Sequence, residues 1–251
     1  MTALDCESRE STLDSLSVIY GVSASDIKKF LREADLEKHY ATTNPQNPCD
    51  KELTSLFEQT FDSAPGPIHR VFWFHLTRAK LGAGFVNGIL PLSEALDDIW
   101  ETIFAVFKGT NHEIELRNLQ QNGVPGHLYD LKVGNPLHGG PYAMLVRESA
   151  FRLNEMGSHD YLRLPEIIDD ICNGYKETCG HDIHDELSKA LVPYIVKFWS
   201  NEENGKLHIE PALYYLYCIM QGQELTDIAN TCFDGKNSAV PPEQIVKVDA
   251  L

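Results

Sequence analysis

The segment Val71–Arg78 reads Val-Phe-Trp-Phe-His-Leu-Thr-Arg, an apolar run that ends in an imidazole, a hydroxyl and a cation. The aromatic and aliphatic residues predict a buried β-strand. Polar groups at the end of such a strand cost free energy unless they face a partner. On an alternating strand His75 and Thr77 share one face, and Arg78 lies on the other face or at the rim. A core histidine bonded to a backbone carbonyl is the common alternative to a functional one.

Composition sets the class of protein. The chain has 251 residues, of which 43% are hydrophobic, and this predicts a globular protein with a real core. There are 37 Asp and Glu against 21 Lys and Arg, so the formal net charge is -16. That charge excludes nucleic-acid binding through the bulk field, although a local basic cleft stays open.

The cellular setting is predicted from cysteines and apolar runs. Six cysteines without a repeated spacing and an acidic, polar start without signal-peptide character predict a reduced, cytoplasmic protein. No apolar run reaches the roughly 18 residues that a membrane span needs, so no membrane partner is expected.

Residues 1–64 are predicted to form a helical N-terminal segment. Ser11–Leu36 has the pattern of a helix-turn-helix pair, and Lys51–Phe61 that of a short helix. The second helix of the pair offers three basic side chains beside four acidic ones, Asp26, Glu33, Asp35 and Glu37, which favours a packing hairpin over a DNA reader. Ala64-Pro-Gly-Pro then marks a boundary, and residues 65–251 are assigned to a main domain.

The main domain is predicted to be α+β with a mixed sheet, because its helices and strands do not alternate strictly. After the opening strand the patterns predict, in order, a helix at Glu94–Lys108, a loop at Gly109–Gly126, a strand at Leu128–Val133, a central strand at Tyr142–Glu148, a helix that begins at Leu164-Pro165-Glu166, a helix at Asp185–Leu191, a strand at Pro193–Trp199, a helix at Pro211–Met220 and an edge strand within Val240–Val248.

Most chemical motifs are absent or weak. The glycine pairs lack the spacing of a dinucleotide fingerprint or a phosphate loop, and no Gly-x-Ser-x-Gly elbow is present. Cys179, His181, His184 and Asp185 include good zinc donors, which makes a metal-dependent enzyme a third hypothesis. Their spacing is irregular, and an exposed polar helix start explains the same residues.

Two stretches resemble the NAD-dependent ADP-ribosyltransferases. Phe74–Arg78, followed by Gly88–Pro91, looks like the strand and turn that open that fold, and Val240–Val248 is similar to the strand that often closes it. The resemblance implies an ADP-ribosyltransferase-like α+β fold with NAD as cofactor. It also implies that ADP-ribose is transferred to a macromolecular acceptor.

The resemblance also implies roles for single residues. His75 would hydrogen-bond a ribose hydroxyl of NAD, with Thr77 in support, and Arg78 would hold the diphosphate by charge-assisted hydrogen bonds. An aromatic residue would lie against the nicotinamide; Tyr142 is the best match and Tyr129 the second.

The reaction also needs a carboxylate, because cleavage of the nicotinamide–ribose bond builds positive charge on the ribose. Here the chain departs from the family pattern, since no Glu-x-Leu strand precedes the closing Val-Pro turn. Glu166 is the first choice, with Asp234, Glu224 and Glu210 as alternatives. The missing glutamate favours a second hypothesis, a non-catalytic interaction protein with an α+β fold that binds a basic partner.

Overall fold

The computed structural model describes residues 2–201 and 205–251, and its architecture is α+β. The helices and strands, in chain order, are β1 (Ala3–Leu4), α1 (Arg9–Tyr20), α2 (Ala24–Glu33), α3 (Leu36–Thr43), α4 (Cys49–Phe61), β2 (Arg70–Ala79), α5 (Leu92–Val106), α6 (Asn111–Asn122), α7 (His127–Gly134), β3 (Tyr142–Met144), α8 (Leu153–Met156), α9 (Glu166–Cys179), α10 (His184–Ala190), β4 (Val192–Asn201), α11 (Ile209–Gln221), β5 (Cys232–Asp234) and β6 (Ile245–Ala250). Over the described ranges, every helix is too short or too polar to cross a membrane.

The described strands form a six-stranded sheet. Five of them lie in the order β5-β3-β2-β4-β6, and β1 pairs with β2 in parallel. The β2–β3 and β4–β6 pairs are antiparallel, with Phe74 opposite Met144 in the first pair. A register shift between Lys197 and Phe198 interrupts the β4–β6 ladder. The sheet is therefore mixed, as the sequence predicted.

The chain divides into two compact units, each assembled from separate stretches. The first comprises the chain up to Phe74 with Met144–Ser158 and Trp199–Cys232, and the second comprises His75–Ala143, His159–Phe198 and Phe233–Leu251. The boundary predicted near residue 64 stays a prediction.

The first unit is organised around α11. This helix buries nearly every residue from Ile209 to Cys218, and α1, α2 and α4 pack against it. An apolar surface on all sides of a helix requires neighbours on all sides. The N-terminal helix pair α1 and α2 thus supplies packing faces, in agreement with the predicted packing hairpin.

The second unit has its own apolar core. It is formed by α5, α6, α9 and α10, and its fully buried side chains include Trp100, Phe104, Leu116, Ile171 and Tyr175. The helix predicted at Glu94–Lys108 is α5, and this core buries its Trp100, Ile103 and Phe104.

Several predicted elements are confirmed. The strand at Val71–Arg78 is part of β2, Pro193–Trp199 is part of β4, and the closing stretch forms β6 at one edge of the sheet. Tyr142–Glu148 was predicted too long: β3 ends at Met144 and a 3-10 helix follows.

Two predictions were wrong. Gly109–Gly126 was expected to be a loop and contains α6, since Leu116 and Leu119 have helical spacing and are both buried. Leu128–Val133 was expected to be a strand and lies in α7. Its short alternation of apolar and polar residues fits both periods over six residues, and packing against α9 decides for the helix.

The two stretches that carry the family resemblance pair with each other in the second unit. Ile89 N–H donates to the Val240 carbonyl at 3.0 Å, and Val240 N–H donates back to Ile89 at 2.9 Å. Gly88 precedes this bridge with φ of +84°, and a Cβ there would lie 2.0 Å from the Val240 oxygen. Only glycine satisfies both the positive φ and the close approach.

We expect Gly88→Ala to destabilise the protein far more than Gly82→Ala. Both glycines have positive φ, near +80°, but nothing lies within 4 Å of a Cβ at Gly82. The backbone cost of about 1–2 kcal/mol is common to both variants. The collision with Val240 adds roughly 1–3 kcal/mol for Gly88→Ala alone. Urea denaturation measures the difference, and equal free energies of unfolding for the two variants would contradict the close approach.

Candidate functional site

The polar end of β2 is joined to the start of β3. His75 Nδ1 lies 2.7 Å from the Tyr142 carbonyl oxygen. A carbonyl only accepts hydrogen bonds, so Nδ1 carries the proton and Nε2 of a neutral ring is left as an acceptor. Burial lowers the pKa of His75, although the bond to Tyr142 opposes this effect. His75 is therefore a neutral imidazole at pH 7 with one acceptor nitrogen.

Tyr142, whose backbone carbonyl accepts this bond, is an exposed aromatic residue. Its side chain is 42% exposed, and its hydroxyl donates to the Leu137 carbonyl at 3.3 Å. Burial of the remainder raises the pKa of Tyr142, and the negative charges of Asp234 and Glu166 raise it further. Two of the candidate carboxylates thus lie within electrostatic reach of this ring.

The backbone before Tyr142 is held by the two segments that pair at Val240. Leu92 N–H donates to Gly139 at 2.8 Å, Asn237 N–H to Gly140 at 2.8 Å, and Gly235 N–H to Pro141 at 2.9 Å. These three bonds fix the turn that delivers Tyr142 to His75. The position of the Tyr142 backbone therefore depends both on the segment that contains the Gly88–Pro91 turn and on the segment that leads to Val240.

Glu166 begins α9 and is fixed by two donors. The Tyr161 hydroxyl donates to Oε1 at 2.8 Å, and Lys132 Nζ lies 3.2 Å from Oε2. Burial raises the pKa of Glu166, but these two partners outweigh it and the net pKa is lowered. Glu166 is thus an anion at neutral pH, at a helix N-terminus that favours negative charge.

The other carboxylates that were considered are distributed over both units. Asp234 lies in β5 within the second unit, is exposed, and accepts the Lys236 N–H at 2.8 Å. Glu210 and Glu224 both belong to the first unit. Burial raises the pKa of Glu210, and the charge of Asp50 adds to this. Glu166 and Asp234 are the two that share a unit with His75.

Arg78 is engaged by backbone carbonyls. Its Nε donates to Leu162, and its Nη1 donates to both Ser188 and Leu191. Ser188 lies in the last turn of α10, where a cation satisfies exposed carbonyls. Burial lowers the pKa of Arg78, and the charge of Asp160 opposes this. Two N–H groups, on Nη2, remain for the diphosphate role, which stays a prediction.

Thr77 and Tyr129, the remaining predicted site residues, lie on different elements. Thr77 is half-buried on β2, two residues after His75 and on the same face. Tyr129 is on α7, half-buried against the core of the second unit, and burial raises its pKa. Its place in that core favours a packing role over the nicotinamide contact assigned to it as the second choice.

The residues of the proposed zinc site are divided between two sets of contacts. His184 pairs with Asp182 at 2.6 Å and with Asp169 at 3.3 Å. The His181 ring instead lies 5.6 Å from the ring of His112. Across residues 2–201 and 205–251, no three His, Cys, Asp or Glu side chains are grouped closely enough to hold a metal ion.

Sequence reasoning missed Lys132 and Tyr161. Lys132 was placed in a strand, where nothing indicated that it would reach α9. Tyr161 lies five residues before Glu166, and its hydroxyl meets the carboxylate because the intervening segment folds back. The proline at position 165 was the available signal, since it fixes where the helix begins.

Comparison with known proteins adds no relative. The chain matches no protein-family model, no curated protein and no solved structure.

We expect Arg78→Met to destabilise the protein by about 2–3 kcal/mol, because it removes the donor from three carbonyls. Arg163→Met is the matched control. The Arg163 side chain is 62% exposed and lies 4.0 Å from Asp185, a contact worth about 0.5 kcal/mol or less. Thermal and urea unfolding measure both variants. A loss no larger than that of the control would show that the three carbonyls do not depend on Arg78.

Proposed function

We propose that the second unit binds NAD beside His75 and transfers its ADP-ribose to a macromolecular acceptor. The observation that carries the proposal is the hydrogen bond from His75 Nδ1 to the Tyr142 carbonyl, at 2.7 Å. It brings together the two residues that the resemblance assigns to the ribose and the nicotinamide. The pairing of Ile89 with Val240 supports the same proposal, because it joins the two stretches on which the resemblance depends.

The donors and acceptors in this unit suit a dinucleotide in part. His75 Nε2 accepts a hydrogen bond from a ribose hydroxyl, because Nδ1 holds the ring proton. The exposed ring of Tyr142 offers a flat surface for the nicotinamide. Fewer donors remain for the diphosphate, since Arg78 gives three of its five N–H donors to backbone carbonyls.

Glu166 has the protonation state that the reaction needs. NAD supplies the ADP-ribose when its nicotinamide–ribose bond breaks, and positive charge develops on the ribose. An anion already in place stabilises that charge without reorganisation, and it counts for more in a partly desolvated site. Glu166 remains ionised because Tyr161 and Lys132 stabilise the carboxylate, and its charge acts on Tyr142.

NAD binding is tested by calorimetry on the wild-type protein, His75→Ala and the control His69→Ala. His69 is exposed and lies just before β2, where its Nδ1 accepts the Thr2 N–H. We expect His75→Ala to weaken NAD binding at least tenfold, which corresponds to one lost hydrogen bond of about 1.4 kcal/mol. We expect His69→Ala to bind as the wild type does. Equal binding by all three proteins, or by none, would contradict the proposal.

Transfer is tested with NAD labelled in its adenine, offered with protein, DNA and RNA as separate acceptors, while nicotinamide release is followed. Glu166→Gln should retain NAD binding and lose about 10²–10³ in rate, the usual cost of removing one electrostatic stabiliser. Asp234→Asn should retain most of the rate. A reversed result would assign the carboxylate to Asp234. Binding without nicotinamide release would favour the non-catalytic interaction protein.

A further inference from the structure

Glu166 is held from two sides by side chains that the proposed site does not otherwise use. Tyr161 donates to Oε1 and Lys132 to Oε2, so each carboxylate oxygen has a different donor. Two donors on separate oxygens fix the rotation of a carboxylate, which one donor leaves free. They also come from separate elements, since Lys132 is on α7 and Tyr161 precedes α9.

Lys132 is itself fixed by a second acid. Its Nζ lies 2.6 Å from Asp170 Oδ2, and Asp170 follows Glu166 by one turn of α9. The ammonium group therefore connects α7 to one face of α9. Burial lowers the pKa of Lys132, but the two carboxylates outweigh this and the net pKa is raised.

Tyr161 is fixed by the segment in which it lies. Its ring meets the His159 ring edge-on at 5.0 Å, and His159 Nε2 donates to the Leu164 carbonyl at 2.6 Å. This local bond closes the segment over the start of α9. The Tyr161 hydroxyl is thereby presented to Glu166 instead of to solvent.

We propose that Tyr161 and Lys132 are positioning residues, which hold Glu166 in one orientation for the transfer of ADP-ribose. The inference rests on the proposed function and specifies how its carboxylate is prepared. The titratable groups that act on Glu166 are Lys132 on α7 and Tyr161 and His159 in the preceding segment. Asp170 on α9 shares Lys132 with it, and the charge of Glu166 acts on Tyr142 on β3.

The two partners give the site a defined pH dependence. The pKa of Glu166 is lowered in the folded protein, so the anion is present above that pKa and is lost as the pH falls through it. Removal of the Tyr161 hydroxyl raises this pKa. The acid limb of the kcat profile then moves to higher pH, whereas a purely structural defect lowers kcat at every pH.

The free protein provides a test that needs no activity. The Glu166 carboxyl carbon is titrated by NMR in the wild type, Tyr161→Phe and the control Tyr175→Phe, with Glu166→Gln to assign the signal. Tyr175 is also on α9, about 13 Å further along the helix, and its hydroxyl donates to Glu115. We expect the Glu166 titration to move to higher pH in Tyr161→Phe alone. An unchanged titration in Tyr161→Phe would overturn the inference.

Kinetics test the consequence for transfer. We expect Lys132→Met to lower kcat about tenfold with little change in the KM for NAD, and Lys132→Arg to recover most of that loss, because it keeps the charge. A loss that appears in KM, or that Lys132→Arg does not recover, would overturn the positioning role. Absence of nicotinamide release from the wild type would overturn the proposed function itself. The NMR titration does not depend on that function, so the two failures are distinguishable.

Discussion

The candidate site depends on a close approach between two backbone segments that are far apart in the chain. At Gly88 the main chain comes so near the Val240 carbonyl that no side chain fits between them. The reciprocal hydrogen bonds of Ile89 and Val240 hold that approach. Pairing between distant segments costs loop-closure entropy, which here is offset by further bonds that form once the segments meet. Those bonds hold the turn before Tyr142, and so this contact fixes the backbone that leads into Tyr142.

The sequence predicted the parts of this arrangement that have local causes. An apolar run with a polar end predicts a buried strand whose polar side chains contact a partner, and β2 is such a strand. A proline ahead of Glu166 marks a helix start, and α9 begins there. In both cases the residue types restrict the backbone without help from distant residues. The bond between His75 and Tyr142 was not predicted as such, because it needs the register of two strands.

The parts that were not predicted have causes in tertiary packing. Residues 128–133 alternate as a strand does, yet contact with α9 makes them helical, and from this helix Lys132 reaches Asp170. Arg78 shows the same limit in its chemistry. A cation at the end of a strand suggested an anionic ligand, but the unsatisfied carbonyls at the end of α10 are also acceptors for it. The sequence shows that Arg78 is a hydrogen-bond donor, but only the fold shows which acceptors it contacts.

The paired carboxylates also bear on which acid suits the proposed reaction. Glu166, Asp170 and Lys132 form a group with a formal charge of -1, so one negative charge remains after the ion pairs form. A half-buried glutamate without such partners would have a raised pKa and lose its charge more readily. A glutamate paired with one lysine alone would present a neutral pair to the ribose. Sharing one lysine between two carboxylates keeps Glu166 ionised and keeps the site negative, whereas Asp234 has its oxygen on the Lys236 N–H in an exposed turn, where water weakens its field.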